Sequence, residues 1–174
     1  RYEIGERQTS ACAVPAAWLD ALGLAGAIRQ TFSEIVIRRR RGGSGARRYV
    51  RRWPLPWTFA TFDYRELCEL LAEQGDFTFE TAKIDGIEHG DIHRVHSDRG
   101  ELRSPLVLDA LGWRRVLSER PDAIQPPDAR LSRGLEVHPH GSSPDLAIWL
   151  DPRYIGPGYG WDFPAGDERR VGVG

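Results

Sequence analysis

The sequence predicts an α/β chain with a large antiparallel β component, and three stretches carry that prediction. The last nineteen residues, Gly156–Gly174 (GPGYGWDFPAGDERRVGVG), alternate Tyr159, Trp161 and Phe163, so an extended backbone places all three rings on one strand face. Residues 76–108 break into short runs at His89-Gly90 and Asp98-Arg99-Gly100, the pattern of a strand meander. Asp63 with Glu66 three residues later opens a helical stripe of Leu67, Leu70 and Leu71, which Gly75 closes.

Taken in order, residues 1–14 read as a loop. Pro15 fits the first turn of a helix with Trp18, Leu19 and Leu22 on one face and Gly23 as its C-cap. Thr31–Arg39 reads as a strand that runs into RRRRGGSGARRYVRR (38–52), eight arginines around a glycine-serine tip. That tip is a solvated hairpin end or, because arginine forks suit phosphate, an anion site. Trp53-Pro54-Leu55-Pro56-Trp57 reads as a rigid extended linker. Leu106-Val107-Leu108 is wholly apolar, as in a buried parallel strand, and residues 118–133 form a proline-rich connection. Gly134–Pro139 and Asp145–Asp151 then make two strands around the turn at 140–144, with Leu146, Ile148 and Leu150 on one face. In the closing hairpin, Pro164 ends the first strand or sits at an edge, Ala165-Gly166-Asp167 turns, and Arg169-Arg170-Val171 returns. Gly172 and Gly174 flank Val173, a sign of backbone lying close to something bulky.

Composition excludes several classes. The chain has 174 residues, enough for a substantial core, and its 40% apolar and 28% charged residues are those of a soluble globular protein. A formal charge of −1 gives no global attraction to nucleic acid, and nucleic acid is not an expected partner. No apolar run approaches the roughly 20 residues that span a bilayer. Cys12 and Cys68 do not make a disulfide framework, so the expected compartment is the cytoplasm, with membrane contact at most peripheral. His93 with His96 and His138 with His140 lack a third nearby ligand, so no metal site is expected. The absence of methionine and the opening Arg-Tyr-Glu-Ile-Gly-Glu-Arg suggest an internal piece of a longer protein.

The Tyr159-x-Trp161-x-Phe163-Pro164 run, followed by Gly172-x-Gly174, resembles the Y-x-W-x-F-P and G-x-G motif of the geranylgeranyl reductase family. That family belongs to the FAD-dependent oxidoreductases with the p-hydroxybenzoate hydroxylase-like fold. The resemblance extends to 104–117 and 62–75 and, more loosely, to 1–24. It implies a partial FAD-binding Rossmann-like layer (1–30 and 60–120) interleaved with an antiparallel substrate-binding sheet (31–59 and 121–174). The G-x-G-x-x-G phosphate loop of such a layer does not occur in these residues. It further implies reduction of isoprenoid carbon–carbon double bonds by FAD, with NAD(P)H or another reductant as electron donor. Tyr159, Trp161, Phe163 and Pro164 would line the substrate channel. Asp109, Ala110, Gly112 and Trp113 would contact the cofactor in a turn resembling the second flavin fingerprint, joined by Gly172 and Gly174. Leu111 stands where that fingerprint has its aspartate. Cys12 falls where family members place a cysteine beside the flavin and is the candidate catalytic residue; read from its own surroundings it is a small buried hydrophobe. Arg38, Arg39, Arg40, Arg41, Arg47 and Arg48 would meet an anionic head group. A flavin monooxygenase or halogenase of the same fold, and a non-catalytic binding module using Arg38–Arg52, are the alternatives.

Overall fold

The computed structural model describes residues 2–8, 12–40, 48–111, 117–118, 128, 133–151, 156 and 158–174, with the side chains of Arg40 and Arg48 left aside. The chain divides into two compact units, a larger one of residues 4–76 and 132–174 and a smaller one of 1–3 and 77–131.

The larger unit begins with β1 (Ala13–Pro15) and α1 (Ala16–Ala21). Pro15 supplies the N-cap with φ −55°, and Gly23 at φ +70° turns the chain out of the helix. The face expected of α1 is corrected: Leu19 is 3% exposed, but Trp18 and Leu22 are 63% and 57% exposed. Six residues of helix bury one position, and the (i, i+4) pair Trp18 and Leu22 lies on the opposite side. A 3₁₀ turn at Ala25–Ala27 feeds β2 (Ile28–Arg40), which pairs antiparallel with β3 (Arg48–Phe62) down to Arg40 opposite Arg48. Trp53–Trp57 is therefore part of a strand, not a linker. The extended backbone was legible in its prolines, but the partner strand is supplied from elsewhere. Two irregularities bend the hairpin, one of them between Phe32 and Glu34, opposite the stretch that carries Pro54 and Pro56.

Helix α2 (Tyr64–Glu73) starts where Asp63 predicts, the Asp63 side chain accepting the Glu66 N–H at 3.0 Å. The Glu66 carboxylate accepts instead from Arg29 Nη2 at 2.5 Å, and the Asp63 N–H donates to the Ala27 carbonyl at 2.8 Å. Leu67 and Leu70 pack on a core of Cys12, Leu19, Leu24, Ala27, Ala60 and Phe62, whereas Leu71 is exposed.

The rest of the larger unit comprises β7 (Leu135–Val137), β8 (Leu146–Leu150), β9 (Gly160–Ala165) and β10 (Glu168–Val173). With the first three strands they form one seven-stranded sheet in the order β1-β3-β2-β8-β9-β10-β7. Its pairs are antiparallel except β2 with β8. The strands expected on either side of 140–144 exist but do not pair with each other: β7 takes the outer edge of β10, and β8 inserts between β2 and β9. The closing hairpin is as expected, Gly166 turning at φ +76° and Pro164 sitting one residue before the end of β9. The Pro164 carbonyl accepts the Thr61 hydroxyl at 2.6 Å, tying β9 to β3.

The smaller unit is a meander of β4 (Ile84–Glu88), β5 (His93–Ser97) and β6 (Gly100–Ser104). Among its described residues Val95 is buried, at 8% exposure. Leu106-Val107-Leu108 is not a strand: Leu106 and Leu108 are 69% and 84% exposed. A run of three apolar residues needs neighbouring strands to bury it, and among the described residues none lies beside it.

Candidate active site

Residues directly opposed in a ladder share a face, so the register fixes what surrounds Trp161. One row crosses the sheet as Glu136, Gly172, Trp161, Ile148, Ile37 and Arg51. The alternation that predicted three rings on one face is realised: Tyr159 and Trp161 meet with ring centroids 5.8 Å apart, and Phe163, two residues on, lies opposite Arg170.

The bulky group expected against Gly172 and Gly174 is the Trp161 indole. A Cβ on Gly172 would collide with that ring and come within 2.6 Å of the Leu135 carbonyl oxygen. Cβ atoms on Gly134 and Gly174 would come within 3.2 and 3.3 Å of the same ring. Three glycines thus form a cradle in which the indole lies across the sheet. Its N–H donates to Glu136 Oε2 at 2.6 Å.

A polar chain runs on from there. His138 Nε2 is 2.8 Å from Glu136 Oε1, and His138 Nδ1 is 3.4 Å from Glu168 Oε1. Glu168 Oε1 lies 3.5 Å from Arg170 Nε, and Arg170, only 3% exposed, donates from Nη1 to the Cys12 carbonyl at 3.4 Å. Gln8 Nε2 donates to Glu136 Oε1 at 3.4 Å, pinning the N-terminal segment to the same face. A cavity of about 650 Å³ opens here, lined by Gly5–Gln8, by Asp63, Tyr64 and Arg65 at the start of α2, and by His138, Glu168 and Arg170. The Tyr64 phenol is pushed above its usual range, first by its hydrogen bond with Cys68 and then by burial. Glu136, Glu168 and Arg170 were not foreseen, and His138 was weighed only for metal. The available signal was the spacing Glu136-x-His138 and Glu168-x-Arg170, polar pairs at strand period beside an aromatic strand.

Cys12 sits beneath this face with its side chain in the apolar core and its backbone at φ +52°, a conformation that non-glycine residues rarely adopt. Its carbonyl takes hydrogen bonds from Arg170 and from the Phe62 N–H at 3.1 Å. Of the fingerprint residues, Gly112 and Trp113 lie outside the described residues. Asp109 and Ala110 lie in the smaller unit, where Asp109 Oδ1 accepts the Leu111 N–H at 2.9 Å. In the arginine stretch, Arg38 pairs with Asp145 at 2.9 Å and covers the Trp149 ring at 5.7 Å. Arg52 is shared between Asp145 and Glu34. Arg39 is exposed, Arg40 and Arg48 stand opposite each other in register, and Arg41 and Arg47 lie outside the described residues. Among the described residues no three metal-ligating side chains converge, and no helix is long and apolar enough to cross a membrane.

No protein-family profile matches the sequence, and no curated protein matches it significantly. Solved structures do match its fold. PqsL, a probable FAD-dependent monooxygenase from Pseudomonas aeruginosa, superposes with a TM-score of 0.62 at 18% identity over 98% of this chain and 52% of its own. The halogenase PltM gives 0.57 at 11% identity, covering 99% of this chain and 44% of its own. The tetracycline destructase Tet(51) gives 0.55 at 10%, covering 97% and 47%. The chain therefore spans about half the length of the proteins it matches, and at these identities the likeness is one of fold. Its fold is similar to that of about half of the PqsL chain.

Proposed function

We propose that this chain forms the substrate-facing part of a flavin-dependent oxidoreductase of the monooxygenase or halogenase kind, acting on a planar substrate that carries polar groups. The observation behind this reading is the junction on one sheet face of an aromatic wall (Tyr159, Trp161, Phe163) with a hydrogen-bonded polar edge (Glu136, His138, Glu168, Arg170). Apolar rings with a few convergent polar groups describe a site that orients a substrate while excluding water. The cavity beside them fits the ring end of a flavin: about 650 Å³ lies within the range of ligand pockets. Its arginines, with Gln8 and His138, offer donors to the ring's acceptor edge and the ribityl oxygens. Residues 5–8, Arg65, His138 and Arg170 would hold that end. FAD would supply the redox chemistry, drawing electrons from NAD(P)H or another reductant, while the protein supplies binding and orientation.

A second reading, reduction of isoprenoid double bonds, is favoured by the Tyr159, Trp161, Phe163 and Pro164 wall itself, which suits an apolar chain. The polar edge around His138 weighs against a dry channel.

The first test is the absorption spectrum of the protein after incubation with FAD. Flavin bands that stay with the protein through gel filtration are expected; a colourless protein overturns both readings. With flavin bound, oxygen consumption yielding hydroxylated or halogenated product supports the first reading, and anaerobic saturation of a prenyl substrate supports the second.

A further inference from the structure

We propose that Glu136 is the positioning residue of the aromatic wall, fixing the orientation of the Trp161 indole and passing to it the charge state of His138. This deepens the reading of that face as a substrate wall and rests on it.

An indole has two different edges. Gly134, Gly172 and Gly174 give the ring the floor on which it lies. What selects one orientation is the hydrogen bond to Glu136 Oε2 at 2.6 Å, because the flipped ring would leave a half-buried N–H unmet. The same carboxylate, 15% exposed in its side chain, takes His138 Nε2 at 2.8 Å and Gln8 Nε2 at 3.4 Å on its other oxygen. One carboxylate thus serves the wall and the histidine together.

Neutral His138 has one ring N–H, which Glu136 claims at the shorter distance. Protonated His138 has two, and the second faces Glu168 Oε1 at 3.4 Å. A carboxylate paired with an imidazolium is a weaker acceptor for its remaining donor, so the Trp161 hydrogen bond loosens as His138 gains its proton. The other charged and titratable groups facing His138 are Glu168 and Arg170 on β10, Glu6 and Arg7 on the N-terminal segment, and Asp63, Tyr64 and Arg65 at the start of α2.

The test reads the indole directly. In protein labelled with ¹⁵N-tryptophan and without added cofactor, the Trp161 resonance is assigned by its loss in Trp161→Phe and followed from pH 5 to 8. The expected result is a pH-dependent shift in the wild type that His138→Gln abolishes. Glu136→Leu moves the resonance to an unbonded position, and Glu136→Gln, which keeps an acceptor oxygen, restores the bonded position without the pH response. A wild-type indole that does not move while the His138 ring titrates overturns the proposal, as does an indole unchanged by Glu136→Leu. Should Glu136→Leu fail to fold, His138→Gln and Glu136→Gln still decide. None of these readouts depends on flavin, so a protein that fails to bind FAD but shows the indole response loses the substrate-wall reading and keeps the Glu136 coupling. In FAD-loaded enzyme, Glu136→Leu is expected to raise KM several-fold with a smaller change in kcat, as for a group that binds ground and transition state alike, and Glu136→Gln, which keeps the indole in place, to stay near the wild type. A loss confined to kcat would make Glu136 catalytic and overturn its positioning role.

Discussion

Trp161 and Gly172 form one unit although ten residues and a turn lie between them. The ring occupies the volume that any side chain at 172 would need, and the Leu135 carbonyl closes the other side. Gly172→Ala is therefore expected to cost about 1–3 kcal/mol, the range for overpacking a filled site. Replacing Trp161 by Leu in the same chain should recover part of that cost, because the colliding ring is gone while the Leu135 carbonyl stays close. Urea unfolding of the four members of the cycle measures the coupling; additive effects would mean that the ring does not rest on the glycine. Cys12 makes a related point. Its left-handed backbone is held by two hydrogen bonds to its carbonyl, one from Arg170 and one from Phe62, so the loop below the polar edge is fixed through the backbone while the thiol packs in the core.

At the scale of elements, α2 gives the clearest prediction. Burial works against a charged Asp63, but the Glu66 N–H and the Arg29 guanidinium outweigh it and hold the carboxyl below its usual range. A depressed folded-state value means that this stabilisation is present above the unfolded carboxylate range, near about 3.9, and is lost as the pH falls through the folded value. Asp63→Ala should cost about 1 kcal/mol at neutral pH, and Asp63→Asn, still a cap, should cost less and remove the acid dependence. Thermal unfolding between pH 3 and 7 checks both. The elements legible in the sequence were those made by local rules: the capped helix α2, the closing hairpin with its glycine turn, and the meander with its turn residues. The misreadings share one cause, a dependence on distant partners. Trp53–Trp57 became strand because β2 lies beside it, and Leu106–Leu108 did not because no described strand does. Trp18 and Leu22 follow helical spacing, but α1 is too short for that face to reach the core. Site legibility divides in the same way. The rings alternate within one strand and were visible; Glu136, His138, Glu168 and Arg170 come together only when β7 docks on β10.

The chain divides into two compact units, and a change buried in one is expected to act within that unit. Val95→Ala, in the centre of the smaller sheet, is expected to cost that unit about 1 kcal/mol or more and to raise amide exchange across β4–β6. The Trp161 indole signal in the larger unit should not change. If both lose protection together, the units unfold as one block. The larger unit has its own seam. Strand β2 meets β8 in the one parallel pairing among the described strands, and Gln30 reaches Ser143 across 113 positions of sequence. The β2–β3 hairpin and the two described helices are therefore synthesised before β8, the strand that pairs with the inner edge of β2. At the sequence separations involved, closing that gap is slow. During this interval the newborn chain presents a long bare strand edge, a template for unwanted pairing with other chains. The parallel seam that completes the sheet thus also sets the period in which a growing chain is most exposed to aggregation.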